Sequence, residues 1–179
     1  MLNKLIEGYC KLLGLIIAAS LAVMVVLVFG NVIMRYGFNS GITVSEELSR
    51  WLFVWLTFLG AIVAMKEGAH LGSDTLVSRM PLAIKKVFFV AGHLLMLFVC
   101  WLLFKGAWDQ MLINLETTSA VMEASMAIFY ACGVVTAVSM ALILLNQLWR
   151  MLTGQLSEAE LIGVRESEEE PIDVPAPLK

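Results

Sequence analysis

The sequence predicts an all-α integral membrane protein with four transmembrane helices, short amphipathic interfacial segments and both termini in the cytoplasm. Apolar residues make up 60% of the chain and charged residues 15%, and the mean hydropathy is +0.86, far from ordinary soluble composition. Four blocks free of Asp, Glu, Lys and Arg cover residues 12–34, 51–65, 87–104 and 124–149. A bilayer core about 30 Å thick needs about 20 apolar residues in a helix, so each block predicts one span.

The first 154 residues are predicted to form one transmembrane domain. We expect its helices at about residues 12–35, 44–66, 82–105 (with an amphipathic extension to 115) and 122–151. Residues 1–11 form a short amphipathic lead-in. The first apolar run continues far beyond the core of a signal peptide, which favours an uncleaved helix. Residues 155–179 are acidic and contain three prolines, a composition typical of a disordered tail.

The second apolar block is short and requires an extension into charged residues at its start. Thr43 and Glu46 form a capping-box pattern that predicts a helix start. Glu46 and Arg50 then lie four residues apart, in the order that favours an ion pair. Trp51 and Trp55 follow on a neighbouring stripe. The second helix is therefore predicted to enter the bilayer through a charged, aromatic interface.

The third and fourth helices are indicated by apolar length and by their flanking residues. Pro81 suits the first position of helix three, and helical spacing continues past Lys105 to Leu115. Residues 117–119 are expected to end that extension. Two pairs of small residues at helical spacing permit close helix contact: Gly60 with Ala64, and Gly133 with Ala137.

The distribution of Lys and Arg predicts the orientation. Nine of the 12 cations lie in the N-terminal segment, the loop 66–86 or the tail, and the other three are Arg35, Arg50 and Lys105. Both termini and the loop 66–86 are therefore expected on the cytoplasmic side of the membrane. Glu46, Glu47 and Arg50 would face outward, toward the periplasm of a Gram-negative cell.

The composition argues against several functional classes. Ionisable residues at membrane depth usually mark ion pathways, and the four blocks contain no Asp, Glu, Lys or Arg, so we expect no ion coupling by this chain alone. No basic patch suggests nucleic-acid binding. Cys10, Cys100 and Cys132 form no Cys-x-x-Cys pair and are expected to be small buried hydrophobes. Lipid binding by the basic second loop is consistent with its charge.

The two histidines define the remaining site hypotheses. His93 lies within the third block, but a bis-histidine haem would need a second axial ligand, and His70 lies in a loop. We expect a packed His93 bonded to a neighbouring helix carbonyl, and no cofactor. His70 and Asp74 lie four apart, but the loop offers no clear third and fourth metal ligands. A structural hydrogen bond or a partner contact is favoured there.

Arg35, at the end of helix one, has two interpretations. Its long side chain could snorkel to the interface. Alternatively it pairs with Glu46 or Glu47 across the turn and fixes helices one and two together.

Three segments of the chain together carry a resemblance to a known family. The chain resembles the small membrane subunit of TRAP (tripartite ATP-independent periplasmic) transporters, most specifically in the Glu-Glu-Leu-x-Arg segment. Helices three and four match only in length and hydropathy, and the acidic tail is not expected of the family. The matching segments are Asn31-Val32-x-x-Arg35-Tyr36, Ser45-Glu46-Glu47-Leu48-x-Arg50-x-x-Phe53-x-Trp55-x-x-Phe58-Leu59-Gly60 and His70-x-x-x-Asp74.

The resemblance implies a subunit without a substrate, ion or catalytic site of its own. It would pack against the scaffold of a large, elevator-type membrane subunit that works with a periplasmic binding protein in sodium-driven uptake of C4-dicarboxylates, sialic acid or related carboxylates. The competing interpretations are a membrane anchor subunit of a redox complex and a stand-alone small transporter or channel. Structural and partner-interface candidates are Arg35, Glu46, Glu47, Arg50, Trp51, Trp55, His70 and Asp74.

Overall fold

The computed structural model describes residues 2–67 and 81–153. Within these ranges the chain forms four α-helices: α1 (Leu2–Gly37), α2 (Thr43–Lys66), α3 (Leu82–Ile113) and α4 (Ala127–Leu152). All four contain a stretch long and apolar enough to cross a membrane, at Leu5–Gly37, Thr43–Lys66, Ile84–Ile113 and Ala127–Leu152. The predicted all-α class with four transmembrane helices is confirmed.

Helix α1 is longer than predicted because the amphipathic lead-in is continuous with the span. Its helix begins at Leu2 rather than near residue 12. The lead-in residues Lys4, Glu7 and Lys11 accompany apolar residues at helical spacing, and no proline precedes Gly37. The apolar block therefore marks the part of the helix suited to the bilayer and not the full helix.

The helices pack in the order α1, α2, α4, α3, which differs from their order in the chain. One core cluster joins Leu13 of α1, Leu59 and Ile62 of α2, and Ile143 of α4. A second joins Met65 of α2 with residues of α3 and α4, including Cys100 and Leu144. Helices α1 and α3 thus form the two edges of an open row, with α2 and α4 between them.

Glycine has different roles in the two small-residue pairs. A Cβ atom added at Gly133 would lie 2.8 Å from the Cβ of Ala107, whereas one added at Gly60 would meet nothing within 4 Å. Since real Cβ atoms do not approach so closely, Gly133 sets the separation of α3 and α4. The predicted close contact holds at Gly133 and is absent at Gly60 among the described residues.

Helix α4 begins at Ala127, five residues later than predicted, because residues 114–126 form a hydrogen-bonded connection. Thr118 and Ser125 form an isolated antiparallel bridge, and the Ser125 hydroxyl donates to the Leu115 carbonyl at 2.8 Å. Glu123 has φ 54°, in the left-handed region, which reverses the chain. The backbone of residues 122–126, which the apolar pattern assigned to the helix, therefore belongs to this connection instead.

Candidate functional site

The connections α1–α2 (residues 38–42) and α3–α4 (residues 114–126) meet the start of α2 at one end of the row. We call this region the junction and define it by Asn31, Ile42, Ser45, Glu46, Glu47 and residues 119–122. It contains the charged segment that the sequence singled out. Its polar contacts join α1, α2 and the α3–α4 connection.

Asn31 of α1 is the buried centre of the junction, with 8% of its surface exposed. Its Oδ1 accepts a hydrogen bond from the Ile42 backbone N–H at 2.7 Å, and its Nδ2 donates to Glu46 Oε1 at 3.3 Å. Ile42 is the N-cap of α2 and has no side-chain cap bond to an amide of the helix. The predicted capping box of Thr43 and Glu46 is therefore wrong: Asn31, from another helix, binds the N-cap amide that a capping-box glutamate would bind.

Ser45 supplies a second bond between α1 and α2. Its hydroxyl donates to the Leu27 carbonyl at 2.7 Å, and the residue is 2% exposed. Leu27 lies one helical turn before Asn31, so the two bonds hold adjacent turns of α1. Together they fix both the register and the spacing of the α1–α2 hairpin.

The charged residues of α2 do not form the ion pair that their helical spacing predicts. Arg35 Nη1 lies 4.0 Å from Glu46 Oε1, with the two side chains 70% and 61% exposed. Arg50 is exposed and has no carboxylate within 4.0 Å among the described residues. Glu46 thus meets Arg35 across the α1–α2 turn instead of the predicted partner Arg50. An exposed pair of this length adds little stability.

Glu47 binds the α3–α4 connection. Its Oε2 accepts hydrogen bonds from the backbone N–H groups of Val121 at 3.0 Å and Met122 at 3.2 Å. The Ser119 hydroxyl accepts from the Met122 amide as well, at 3.2 Å. One carboxylate on the second turn of α2 therefore holds the α3–α4 connection against the α1–α2 hairpin.

The two tryptophans of α2 face the interior of the row. Trp51 is 8% exposed, and its ring meets Phe129 of α4 edge-on at 5.8 Å between centroids. Trp55 packs on the core cluster of Leu13, Leu59, Ile62 and Ile143. These rings stabilise the contact between α2 and α4, and Trp51 in particular has little surface left for a partner.

His93 is packed between α3 and α4. It is 7% exposed; Nδ1 lies 2.9 Å from the Phe89 carbonyl and Nε2 lies 3.0 Å from Gln147 Oε1. Both ring nitrogens have partners, which agrees with a packed histidine. The bonded carbonyl belongs to α3 itself, however, and the predicted bond to a neighbouring helix is made to the Gln147 side chain instead. His70 and Asp74 lie outside the described residues, so their hypotheses remain predictions.

Removing the Asn31 side chain should loosen the α1–α2 hairpin. In an Asn31→Ala variant the Ile42 amide loses its acceptor, and we expect a loss of about 1–2 kcal/mol for this part-buried donor. We expect a lower midpoint of thermal unfolding in detergent and faster hydrogen exchange at Ile42. Asn114→Ala is the matched control, since among the described residues that side chain bonds only to Gln110 of its own helix end. Equal losses in both variants would contradict the role given to Asn31.

The sequence singled out Glu46 and Glu47 but did not show that they have different partners, with Glu46 bound to α1 and Glu47 bound to the α3–α4 connection. The polar character of Asn31 inside an apolar block was visible, as was its spacing from Arg35. The acceptor role of Glu47 depends on backbone amides that lie 74 and 75 residues away in the chain. No local pattern signals such a contact.

Comparisons with known proteins point to one transporter family. A family model for the DctQ component of tripartite ATP-independent periplasmic transporters matches residues 24–154. A Haemophilus influenzae protein named as a TRAP transporter small permease protein is 35% identical over 148 residues, which are 83% of this chain and 92% of that protein. The Vibrio cholerae C4-dicarboxylate TRAP transporter small permease protein DctQ is 33% identical over 94 residues, 52% of this chain and 40% of that protein.

A third relative carries a different name. The sialic acid TRAP transporter permease protein SiaT of Haemophilus influenzae is 36% identical over 78 residues, 44% of this chain and 12% of that protein. The family match covers most of the chain, from the middle of α1 to the residues just after α4, and includes the whole junction. The chain therefore belongs to the DctQ family, the small permease component of TRAP transporters.

Proposed function

We propose that this chain is the small subunit of a sodium-driven TRAP transporter that takes up an organic-acid anion. It supplies no substrate or ion site. It packs against a large membrane subunit and stabilises the stationary scaffold of that subunit. A periplasmic binding protein delivers the substrate to the assembled complex.

The observation that carries this proposal is Arg50. It is an exposed cation seven residues into a membrane-spanning helix, about 10 Å from the helix start. Among the described residues it has no carboxylate partner. Charged side chains near membrane depth are costly and are retained where they meet a partner, so we assign Arg50 an acceptor on the large subunit.

The packing of the four helices suits a structural role beside a larger subunit. The junction holds α1, α2 and the α3–α4 connection in one arrangement, while the edge helices expose long apolar side chains such as Val26, Phe29 and Leu95. A rigid unit with apolar edges suits a role beside a moving partner, because it extends the fixed part of the complex. Lipid and the large subunit would share these edges.

Two relatives support the partner and the substrate class. The residues that resemble this chain make up only 12% of SiaT, which indicates that a small-subunit-like segment belongs to a much longer permease. The names of these relatives specify C4-dicarboxylate in one case and sialic acid in the other. We therefore propose a carboxylate substrate.

The location follows from charge. We propose a bacterial inner membrane with both termini in the cytoplasm, from the excess of Lys and Arg on that side. This orientation puts the junction at the periplasmic face. Labelling of single cysteines introduced at residue 40 and at residue 179 with a membrane-impermeant maleimide would test it, with only the first expected to react in intact spheroplasts.

Removing the charge of Arg50 should weaken assembly. In a strain that expresses the tagged chain together with a large TRAP permease subunit, Arg50→Ala is expected to weaken the association by about thirtyfold or more. A buried charge pair that loses one partner costs about 2–5 kcal/mol, and about 1.4 kcal/mol is tenfold. Sodium-driven carboxylate uptake in proteoliposomes should fall in parallel. Lys105→Ala is the matched control, since Lys105 is an exposed cation at a similar distance from the same end of the row. Normal assembly and normal uptake with Arg50→Ala would remove the proposal.

A further inference from the structure

The end of α4 lies beside the start of α3. His93 Nε2 of α3 lies 3.0 Å from Gln147 Oε1 of α4, and Gly133 of α4 lies against Ala107 of α3. These two contacts are separated by the same number of residues on each helix, so the antiparallel pair keeps its register. About two turns beyond His93, Lys86 therefore comes level with the end of α4, where the C-terminal tail begins.

Lys85 and Lys86 form a basic pair at the start of α3. Lys86 is exposed and Lys85 is half-buried, and among the described residues neither has a carboxylate within 4.0 Å. The first turn of α3 contains no acidic residue, so the positive end of the helix dipole adds to the two lysines. This end of α3 therefore favours a negatively charged partner.

The tail that follows α4 is acidic. Residues 154–179 carry carboxylate side chains at positions 158, 160, 166, 168–170 and 173, and basic side chains only at positions 165 and 179. The chain from the C-cap Thr153 to Glu158 can span up to about 17 Å. Since packed helices lie about 8–10 Å apart, both Glu158 and Glu160 can reach the lysine pair.

We propose that the acidic tail of this chain binds its own lysine pair, with the carboxylates of Glu158 and Glu160 on Lys85 and Lys86. The contact joins the end of α4 to the start of α3 and neutralises the charge that the pair presents. Tail and lysines lie on the same side of the membrane in either orientation of the chain. The inference thus goes beyond the proposed transport role and does not depend on it.

A tethered segment has an advantage over separate partners of the same charge. Attachment through a short stretch of chain gives the carboxylates an effective concentration in the millimolar range at the lysines. Exposed ion pairs are individually weak, so a free acidic peptide would seldom occupy so small a basic site, whereas the tail needs only a weak contact. Anionic lipid headgroups would compete for the same lysines, and the experiment includes them.

The rate at which each lysine is acylated tests the contact. The full-length chain in an uncharged detergent is treated with N-hydroxysuccinimide acetate, and modification at each lysine is followed by mass spectrometry. Lys86 should react about threefold more slowly than in the double variant Glu158→Gln/Glu160→Gln, the size expected for two exposed ion pairs. Lys105, farther along α3, is the internal reference and should react equally in both proteins.

Two controls separate docking from the overall charge of the tail. Glu168→Gln/Glu169→Gln removes the same charge farther along the tail and should leave Lys86 protected. In 1 M sodium chloride, where charges are screened beyond about 3 Å, the difference between wild type and the first double variant should disappear. A carbodiimide, which couples carboxylates to amines in direct contact, should join Glu158 or Glu160 to the lysine pair within one chain.

Four results would overturn the proposal. Equal rates at Lys86 in the wild type and in Glu158→Gln/Glu160→Gln would show that these carboxylates do not cover it. Equal acceleration in Glu168→Gln/Glu169→Gln would show only a general effect of charge, and cross-links formed mainly to Lys66 would place the tail against α2. Loss of the protection in phosphatidylglycerol vesicles would assign the lysines to lipid headgroups, whereas retained protection there supports the tail.

Discussion

A leucine at position 133 is expected to separate α3 from α4 and to lower the stability of the protein by about 3 kcal/mol, at the upper end of typical overpacking losses. Even the first carbon of a side chain would lie 2.8 Å from the Cβ of Ala107. Neither atom can move without its helix, since both are attached directly to backbone. Gly133→Leu should therefore unfold at a markedly lower temperature in detergent and lose the His93–Gln147 contact that joins the same two helices.

Alanine substitutions at two glycines should change stability in opposite directions, which distinguishes the close contact of Gly133 with Ala107 from a general sensitivity to mutation. Gly60→Ala lies in open space and should be neutral or stabilising by up to about 1 kcal/mol, because alanine favours helix more than glycine does. Gly133→Ala should destabilise, and the exchange Ala107→Gly with Gly133→Ala should recover most of the loss, which a double-mutant cycle measures. A stabilising Gly133→Ala would contradict the close approach.

Glu47→Ala is expected to release the α3–α4 connection from α2. The side chain accepts two backbone N–H groups, and hydrogen bonds to a charged group contribute about 1.5–3 kcal/mol each. Because water reaches part of this site, we expect a total loss of about 3 kcal/mol. Hydrogen exchange at Val121 and Met122 should accelerate more than at any amide of α4.

The neighbouring glutamate provides the matched control. Glu46→Ala removes an exposed pair with Arg35 at 4.0 Å and one hydrogen bond from Asn31 Nδ2 at 3.3 Å. It should lower stability by about 1 kcal/mol, less than the loss in Glu47→Ala. Glu47→Gln keeps an acceptor oxygen without the charge and should fall between the two. Equal effects of Glu46→Ala and Glu47→Ala, or unchanged exchange at Val121 and Met122, would show that the carboxylate does not hold the connection.

The helices were predictable because bilayer thickness imposes their length. Even the short second block was placed well: the structure begins α2 at Thr43 and ends it at Lys66, against a prediction of 44–66. Hydropathy indicates which residues are compatible with the lipid bilayer, however, and does not indicate where the helical backbone hydrogen bonds begin or end. The start of α1 and the start of α4 were misplaced for this reason.

The junction was only partly predictable, for a different reason. Charge crowding indicated that the start of α2 was special, and the alternative of Arg35 pairing with Glu46 matches the observed geometry. Periodicity within one helix cannot show that Asn31 caps a different helix, or that Glu47 binds amides of a distant connection. Periodicity also predicted Arg50 as the partner of Glu46, which is wrong. Helical spacing shows which side chains share a face of one helix, but it does not show that a residue of a neighbouring helix, here Arg35, can take the same partner.

The order of the helices in the row has a consequence for biogenesis. The last helix to be synthesised, α4, lies between α2 and α3 and also meets α1 through the 2.9 Å contact of Ser139 with Tyr9. The α1–α2 hairpin can form early, but α3 has to wait beside it until α4 is released from the ribosome and enters the gap. Chains that stop before Ala127 would thus lack the helix that makes the main contacts to both α2 and α3. Completion of the subunit is in this way coupled to completion of its synthesis.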